Sequence, residues 1–493
     1  MSFLKVSTGA LCLSLWVSIP SISKADTFHW PDYQAEAATS EHRIDELYYL
    51  QPHNSYERLE DGETLTDWLD KGFRSLEIDV VDHGSWQGSS HGPHVAHGQN
   101  DIGNHMCNSN GDDDRLEHCL DDIKSWLSVN TIEAPIMLYI DMKTNLDWFN
   151  AWYADEIYLL DQYIQQELGD LQYSYQDMLA YLQQISSSEN YRTTLTSTGW
   201  PSVGNLLNND KKVIVIFTGG QSGNVNNRME SALDSYEMSA FLCPDIDTAD
   251  PEEFTGSIDS IDSSSSQRIF CGNVQAGDHY QITANAAAET KQLMHLWDSS
   301  GDFSNTDYGY IFTAIAHGAT AIGMDPDTVA TTPNYTGTAI PFVGVRRSLP
   351  GYLRIRSASN ADLCMTVSQG YSNGSNLNMN NCGSSNEQQF VYTAEGQLRP
   401  KGNNKYCVDF NTGSADNGDK MHLWDCDGGN SEKWQIQESG VIQNRDKNWT
   451  YCIDAPGSST EEGERLQVYK CDKNDKSQQF VLEAVNDWAQ NSF

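Results

Sequence analysis

The chain has 493 residues and carries 69 Asp and Glu against 30 Lys and Arg, a formal net charge of −39. That length exceeds one ordinary domain and points to two. The charge excludes nucleic acid as a partner, because an acidic surface repels polyanions out to the Debye distance of roughly 8 Å. The acidity is also uneven: residues 1–340 hold 50 acidic and 15 basic side chains, whereas residues 341–493 hold 19 and 15. An anionic substrate of the first part therefore needs a local source of positive charge.

In chain order, Lys5, the apolar residues 10–19, Pro20 and the small-x-small Ser23-Lys24-Ala25 predict a signal peptide over 1–25. The apolar run is shorter than the roughly 20 residues of a bilayer span. A secreted, soluble and monomeric mature protein is expected. Of 11 cysteines, Cys12 leaves with the signal. The even remainder in an exported chain reads as disulfides rather than a metal site. Cys107, Cys119, Cys243 and Cys271 could pair as 107–119 and 243–271.

Residues 26–44 read as an extended lead-in, and a strand over 47–50 ends at His53-Asn54. Thr64 can cap a helix whose Leu65, Trp68 and Leu69 share a face and which Gly72 stops. Strands at 73–81 and 93–97 follow, then a helix over 114–129 and an apolar strand over 136–140 ending at Asp141 and Lys143. Helical patterns cover 146–168 and 175–185, and a buried strand covers 213–217. An Asp/Ser-rich loop spans 259–266. A strand at 293–297, a helix at 308–317 and a strand at 319–324 before Asp325 complete the first part. Alternating strands and helices predict a parallel sheet. Polar groups at successive strand ends favour a closed α/β TIM-type barrel over 26–340, with its chemistry at the carboxyl ends of the strands.

From about residue 341 the helical periodicity stops and a repeat begins, after an expected linker at 341–349. Cys364-Met365-Thr366, Cys407-Val408-Asp409 and Cys452-Ile453-Asp454 recur at intervals of 43 and 45. Each is followed by a second cysteine, 382, 426 or 471, and then by Gln-Gln-Phe, Glu-Lys-Trp or Gln-Gln-Phe. This pattern resembles the ricin B-type lectin family, an all-β β-trefoil with a Gln-x-Trp motif in each lobe. The resemblance covers 350–485, in a domain expected over 350–493, and implies disulfides Cys364–Cys382, Cys407–Cys426 and Cys452–Cys471. Sugar recognition needs a carboxylate for hydroxyls and an aromatic face for C–H groups. The second lobe offers Asp409, His422 and Trp424, and the third offers Asp454, Gln467, Tyr469 and Gln478. The first lobe has Thr366 and Asn380 instead and is expected to be structural.

In the first part, His53-Asn54 and Glu77-x-Asp79 stand at successive strand ends, and alternate side chains of a strand share a face. Two carboxylates brought together repel unless a proton or cation lies between them. Oxygen donors, Asn54 and Asp141 included, suit calcium or magnesium, and His53 and His97 suit acid–base roles near neutral pH. His91, His94 and His97 also form an H-x2-H-x2-H run, for which loop histidines are a simpler reading than a transition-metal clip.

HNSY, RSLEIDV, VAHG and PIMLYIDMK, with GWPSVGNLL (199–207) and ATAIGMDP, resemble the calcium-dependent phosphatidylinositol-specific phospholipase C group over residues 45–330. The resemblance implies His53 and His97 as acid–base histidines and Asn54, Glu77, Asp79 and Asp141 as calcium ligands. Metal-independent bacterial relatives carry Arg where Asp79 stands, so the carboxylate argues for a cation. Asp141 stands where eukaryotic relatives have Glu, and MHLWDSS (294–300) shows no evident Arg for an inositol phosphate. Lys143 is the candidate phosphate contact. The implied activity is cleavage of phosphatidylinositol to diacylglycerol and a cyclic inositol phosphate, with glycans and peripheral membrane contact as partners. His97 is expected to stabilise developing charge and His53 to manage the leaving oxygen's proton. Two rivals differ in kind: a magnesium-dependent glycerophosphodiesterase or sphingomyelinase D-like enzyme, and a glycan-binding adhesin with an inactive barrel.

Overall fold

The structure is a computed structural model. It describes residues 37–56, 64–82, 86–87, 90–97, 107, 115–143, 152–219, 225–248, 250–276, 280–297, 314–315, 317–324, 341–346, 352–392, 396–410, 413–436, 440–447, 449–456 and 461–484. The expected signal peptide, the lead-in up to residue 36, residues 146–151 of one expected helix, residues 308–313 and 316 of another, Asp325 and residues 347–349 of the expected linker lie outside the described residues.

The first part is built on β1 (Leu47–Pro52), β2 (Ser75–Val81), β3 (His94–Val95), β4 (Ile136–Lys143), β5 (Val213–Gly219), β6 (Phe241–Cys243), β7 (Asp245–Ile246), β8 (Cys271–Gln275), β9 (Leu293–Trp297), β10 (Ala321–Met324) and β11 (Val343–Val345). One sheet runs β3-β2-β4-β5-β6 and the other β11-β1-β10-β9-β8-β7. All ladders are parallel except those of β3 and β11. Pro244 joins the two sheets. With no N–H to donate, it ends the pairing of β6 with β5, and the chain continues as β7 beside β8. On the opposite side the sheets meet through side chains: Ser75 Oγ donates to Gln51 Oε1 (2.7 Å), and Gln51 Nε2 donates to Glu77 Oε2 (3.1 Å).

The runs Ser75–Val81, Ile136–Lys143 and Val213–Gly219 are almost wholly buried, as parallel strands covered on both faces are; the last two are mainly apolar, whereas the first alternates Ser75, Glu77 and Asp79 with apolar residues. Helix Leu65–Lys71 buries Leu65, Trp68 and Leu69 and ends at Gly72, whose φ of 110° is left-handed. A Cβ there would also come within 2.7 Å of the Phe342 ring, so glycine serves both the cap and the packing. Helix Leu116–Val129 buries Leu116, Leu120, Ile123 and Leu127 at helical spacing.

Three departures from expectation have physical causes. β1 and β4 run on to Pro52 and Lys143, because the inward alternation continues through polar residues. Helices Tyr191–Thr198, Val203–Asn208, Val225–Ser235 and Tyr280–Glu289 were not legible. The last buries small residues on most sides and so lacks an amphipathic period. The expected linker at 341–349 is also partly a strand. β11 pairs antiparallel with β1, Phe342 packs on Phe73 with ring centroids 4.4 Å apart, and buried Arg346 donates to Gln292 O, Gly318 O and Thr320 Oγ1.

The second part has its own apolar core, separate from that of the first. Three hairpins repeat: Leu363–Val367 with Leu377–Asn381, Tyr406–Phe410 with Asp419–Asp425, and Tyr451–Asp454 with Gln467–Lys470. Phe390, Trp434 and Phe480, the aromatic positions of the repeat, are all buried. The two parts touch where Tyr392 Oη lies 3.0 Å from His317 Nε2; within the second part the same hydroxyl donates to Trp434 O (2.7 Å). Five disulfides close the chain: 107–119, 243–271, 364–382, 407–426 and 452–471. Such a set belongs to an oxidising compartment. Among the described residues, no helix is long and apolar enough to cross a membrane.

Candidate metal centre and sugar-facing lobes

The parallel register sets Asp79 of β2 beside Asp141 of β4, and Asp141 beside Thr218 of β5. Glu77, one inward step back on β2, is 3% exposed and Asp79 is fully buried. Glu77, Asp79 and Asp141 each offer a carboxylate oxygen within 4.8 Å of the others, and among the described residues this is the one group of three or more such side chains able to hold a metal ion. Thr218 Oγ1 donates to Asp141 Oδ1 (3.0 Å), Tyr56 Oη donates to Asp79 Oδ2 (2.9 Å), and the Asn54 N–H donates to Glu77 Oε2 (3.4 Å). Asn54 takes a left-handed φ of 50° at the end of β1, a conformation that Asn tolerates better than most residues.

Around these acids stand the imidazoles and one ammonium. His97 Nδ1 lies 3.1 Å from Asp79 Oδ2 with half of its side chain exposed. His53, whose N–H donates to Met324 O, is close enough to act on Glu77 and Asp79 electrostatically. Lys143 Nζ lies 2.5 Å from Asp141 Oδ2 and 3.1 Å from Asp79 Oδ2. Burial pushes the Glu77 carboxyl up to about 7; His53 opposes the rise, and Asp79 adds to it. Burial also pushes Asp79 upward, but Lys143, His97 and His53 together hold it below the usual carboxylate range. Lys143 is held charged, because Asp141, Asp79 and Glu77 outweigh the cost of its burial. All seven residues expected from the sequence are thus brought to one rim.

A divalent cation fits this set. Asp79 Oδ1 and Asn54 Oδ1 are buried and have no hydrogen-bond partner among the described residues. An oxygen left open in this way is costly unless something occupies it, and hard oxygen donors suit calcium or magnesium. Lys143 already offsets part of the negative charge, but through the Oδ2 atoms of Asp79 and Asp141 alone.

The trefoil repeats one arrangement twice. Asp409 faces His422 across its hairpin, and Asp454 faces Gln467. Two residues beyond each partner an aromatic is exposed, Trp424 at 43% and Tyr469 at 42%. His422 stacks on Trp424 with centroids 5.3 Å apart. Burial raises the Asp409 carboxyl to about 6, against the Phe410 N–H and the Ser431 hydroxyl. Gln467 Nε2 and Ser477 Oγ donate to the two oxygens of Asp454, at 2.8 and 2.9 Å. In the first lobe, Thr366 is occupied by Cys364 O and Gln388 Nε2. Gln478 departs from expectation: it is 1% exposed, donates to Lys470 O and accepts from the Asp472 N–H, so it braces the lobe from inside. Ser431 and Ser477 were missed, although each directly precedes the Glu or Gln of its repeat motif.

The first part is thus a parallel α/β architecture with an acidic cation-type cluster beside two imidazoles. The second is a threefold β-hairpin repeat with two aromatic-and-acid faces. Residues 351–480 match the family model for the ricin-type beta-trefoil lectin domain. No curated protein matches the chain. Among solved structures the chain is similar to a calcium-dependent phosphoinositol-specific phospholipase C from the Gram-negative bacterium Pseudomonas sp. One form, titled as a myoinositol complex, has 19% identity, covers 58% of this chain and 91% of that one, and has a TM-score of 0.46. An apo crystal form has 20% identity, covers 59% and 93%, and has the same score. The chain is also similar to the C-half of an earthworm R-type lectin in complex with GalNAc, at 17% identity, covering 27% and 99%, with a TM-score of 0.24.

Proposed function

We propose that the protein is a secreted, calcium-dependent phosphodiesterase on a TIM-type barrel that cleaves phosphatidylinositol-type lipids and is tethered to glycans by its trefoil. The observation that carries the reading is the pair of open, buried oxygens, Asp79 Oδ1 and Asn54 Oδ1, beside Glu77 and Asp141 and within reach of two imidazoles. Asn54, Glu77, Asp79 and Asp141 would hold the cation, which when bound supplies positive charge against the phosphoryl oxygens. Lys143 adds a second positive charge on the same rim and contacts the phosphate. His97, with its Nδ1 proton anchored on Asp79, takes the proton of the inositol hydroxyl that attacks phosphorus, and the resulting imidazolium offsets the charge that builds there. His53 returns a proton to the departing diacylglycerol oxygen. Asp409, His422 and Trp424, and Asp454, Gln467 and Tyr469, are the two sugar-facing sets.

Head-group release from phosphatidylinositol, lysolipids and glycerophosphodiesters, after chelation and then with calcium or magnesium restored, tests the reading. Phosphatidylinositol turnover restored by calcium supports it. Turnover of glycerophosphodiesters or lysolipids restored by magnesium establishes the rival enzyme, and no turnover on any substrate leaves an adhesin with an inactive barrel.

A further inference from the structure

His295 lies in the interior of the first part, 1% exposed, and touches none of the four cation-type residues through any bond of its own. We infer that His295 and Asn273 are positioning residues: they fix Gln51 as a double donor, in a hydrogen-bond chain that aims the Glu77 carboxylate at the cation subsite. The inference rests on the reading of Glu77 as a cation ligand.

The direction of the chain follows from counting hydrogens. Gln51 is fully buried. Its Nε2 lies 3.1 Å from Glu77 Oε2 and 2.8 Å from His295 Nε2, and its Oε1 accepts from Ser75 Oγ at 2.7 Å. With Glu77 ionised, as a cation ligand must be, turning the amide over would set its oxygen against a carboxylate oxygen, so both amide hydrogens are committed, one to Glu77 and one to His295. His295 Nε2 must then be the acceptor, and the ring carries its hydrogen on Nδ1. That hydrogen goes to Asn273 Oδ1, 2.8 Å away. Asn273 Nδ2 in turn donates to Asp245 Oδ1 at 2.7 Å. The end of the chain is strapped down, because the Asp245 N–H donates to Asn226 Oδ1 and Asn226 Nδ2 donates to Asp245 O, both at 2.9 Å.

The plane of the imidazole is fixed as well. Tyr139, the register neighbour of Glu77 on β4, stacks on it with centroids 4.2 Å apart and planes 22° apart. Side chains from β1, β9, β8 and β7 therefore converge to hold one carboxylate of β2. The device works only with a neutral ring, since an imidazolium would point a hydrogen at the Gln51 amide nitrogen and drive the amide to turn its oxygen onto Glu77. Burial, with His53 and Lys143 nearby, keeps His295 neutral by lowering it to about 3. Groups that orient a metal ligand from behind commonly change affinity by about 10–100-fold when removed.

The test uses the full-length protein with 15N-labelled histidine, His295 being assigned by its loss in His295→Phe. The expected spectrum shows a hydrogen on Nδ1, none on Nε2, and no titration between about pH 5.5 and 8. Calorimetric calcium affinity should fall about 10–100-fold in Gln51→Leu and in His295→Phe, which keeps the ring stack but removes the acceptor. Circular dichroism and urea unfolding report whether each variant folds. An Nε2–H tautomer, a His295 that titrates in this range, or folded variants with unchanged calcium affinity would overturn the inference. A wild-type protein that binds no calcium would sink the proposed function instead, and the tautomer would still decide the chain.

Discussion

Glu77→Gln removes a charge that the fold makes costly. The Glu77 carboxyl moves from an ordinary 4.5 in the unfolded chain to about 7 in the folded one. Between those values the folded protein holds a proton that the unfolded chain has released. Its contribution is therefore present below about pH 4.5 and is lost as the pH rises through about 7, the reverse of a salt-bridged carboxylate. The gap from 4.5 to about 7 corresponds to about 3 kcal/mol. Gln keeps an oxygen for the Gln51 and Asn54 donors but carries no charge. In chelator, wild type and variant should unfold alike near pH 4.5 and diverge above it, with the variant more stable at pH 8 by about 3 kcal/mol. Burial also raises Asp161 and Asp245 to about 6 each, but both remain in both proteins and cancel in the comparison. Calcium at a hundredfold excess over its Kd should restore about 2.7 kcal/mol to the wild type and far less to the variant. Urea unfolding across pH, with and without calcium, measures all of this. Parallel pH profiles for the two proteins would refute the reasoning.

His53→Ala and His97→Ala should each lower turnover by about 10²–10⁴-fold while leaving calcium affinity within about threefold, as read by calorimetry. Lys143→Met removes the ammonium that competes for Asp79 and Asp141, so calcium should bind about tenfold tighter, or 1.4 kcal/mol, while turnover falls. Trp424→Ala and Asp454→Asn should each weaken binding to a glycan array by about 2 kcal/mol at their own lobe, as losing an anchor that the ligand covers does. Hydrolysis of a soluble substrate should not change in either.

The candidate site was legible because its residues arrive by strand alternation. Glu77 and Asp79 lie two apart on one strand, and Asp141 ends the neighbouring one. The trefoil was legible because its cysteines repeat. What stayed hidden depends on register between distant strands. Nothing in Leu293–Trp297 marks His295 as the neighbour of Gln51, 244 residues away. Gln478 was misplaced because a glutamine in a repeat motif reads equally as a ligand or a brace, and only its enclosure separates the two. The helix Tyr280–Glu289 was missed because its alanines are buried on most sides, leaving no polar stripe to count.

The strand Val343–Val345 and the guanidinium of Arg346 set where the chain can be divided. Cutting at residue 340 would leave β1 with a bare edge open to pairing with other chains. It would also leave the carbonyls of Gln292 and Gly318 without the donor that caps them. A fragment of the first part that is to stand alone must therefore keep its C-terminus beyond Arg346. A fragment trimmed shorter would report on aggregation rather than on whether the lectin is needed.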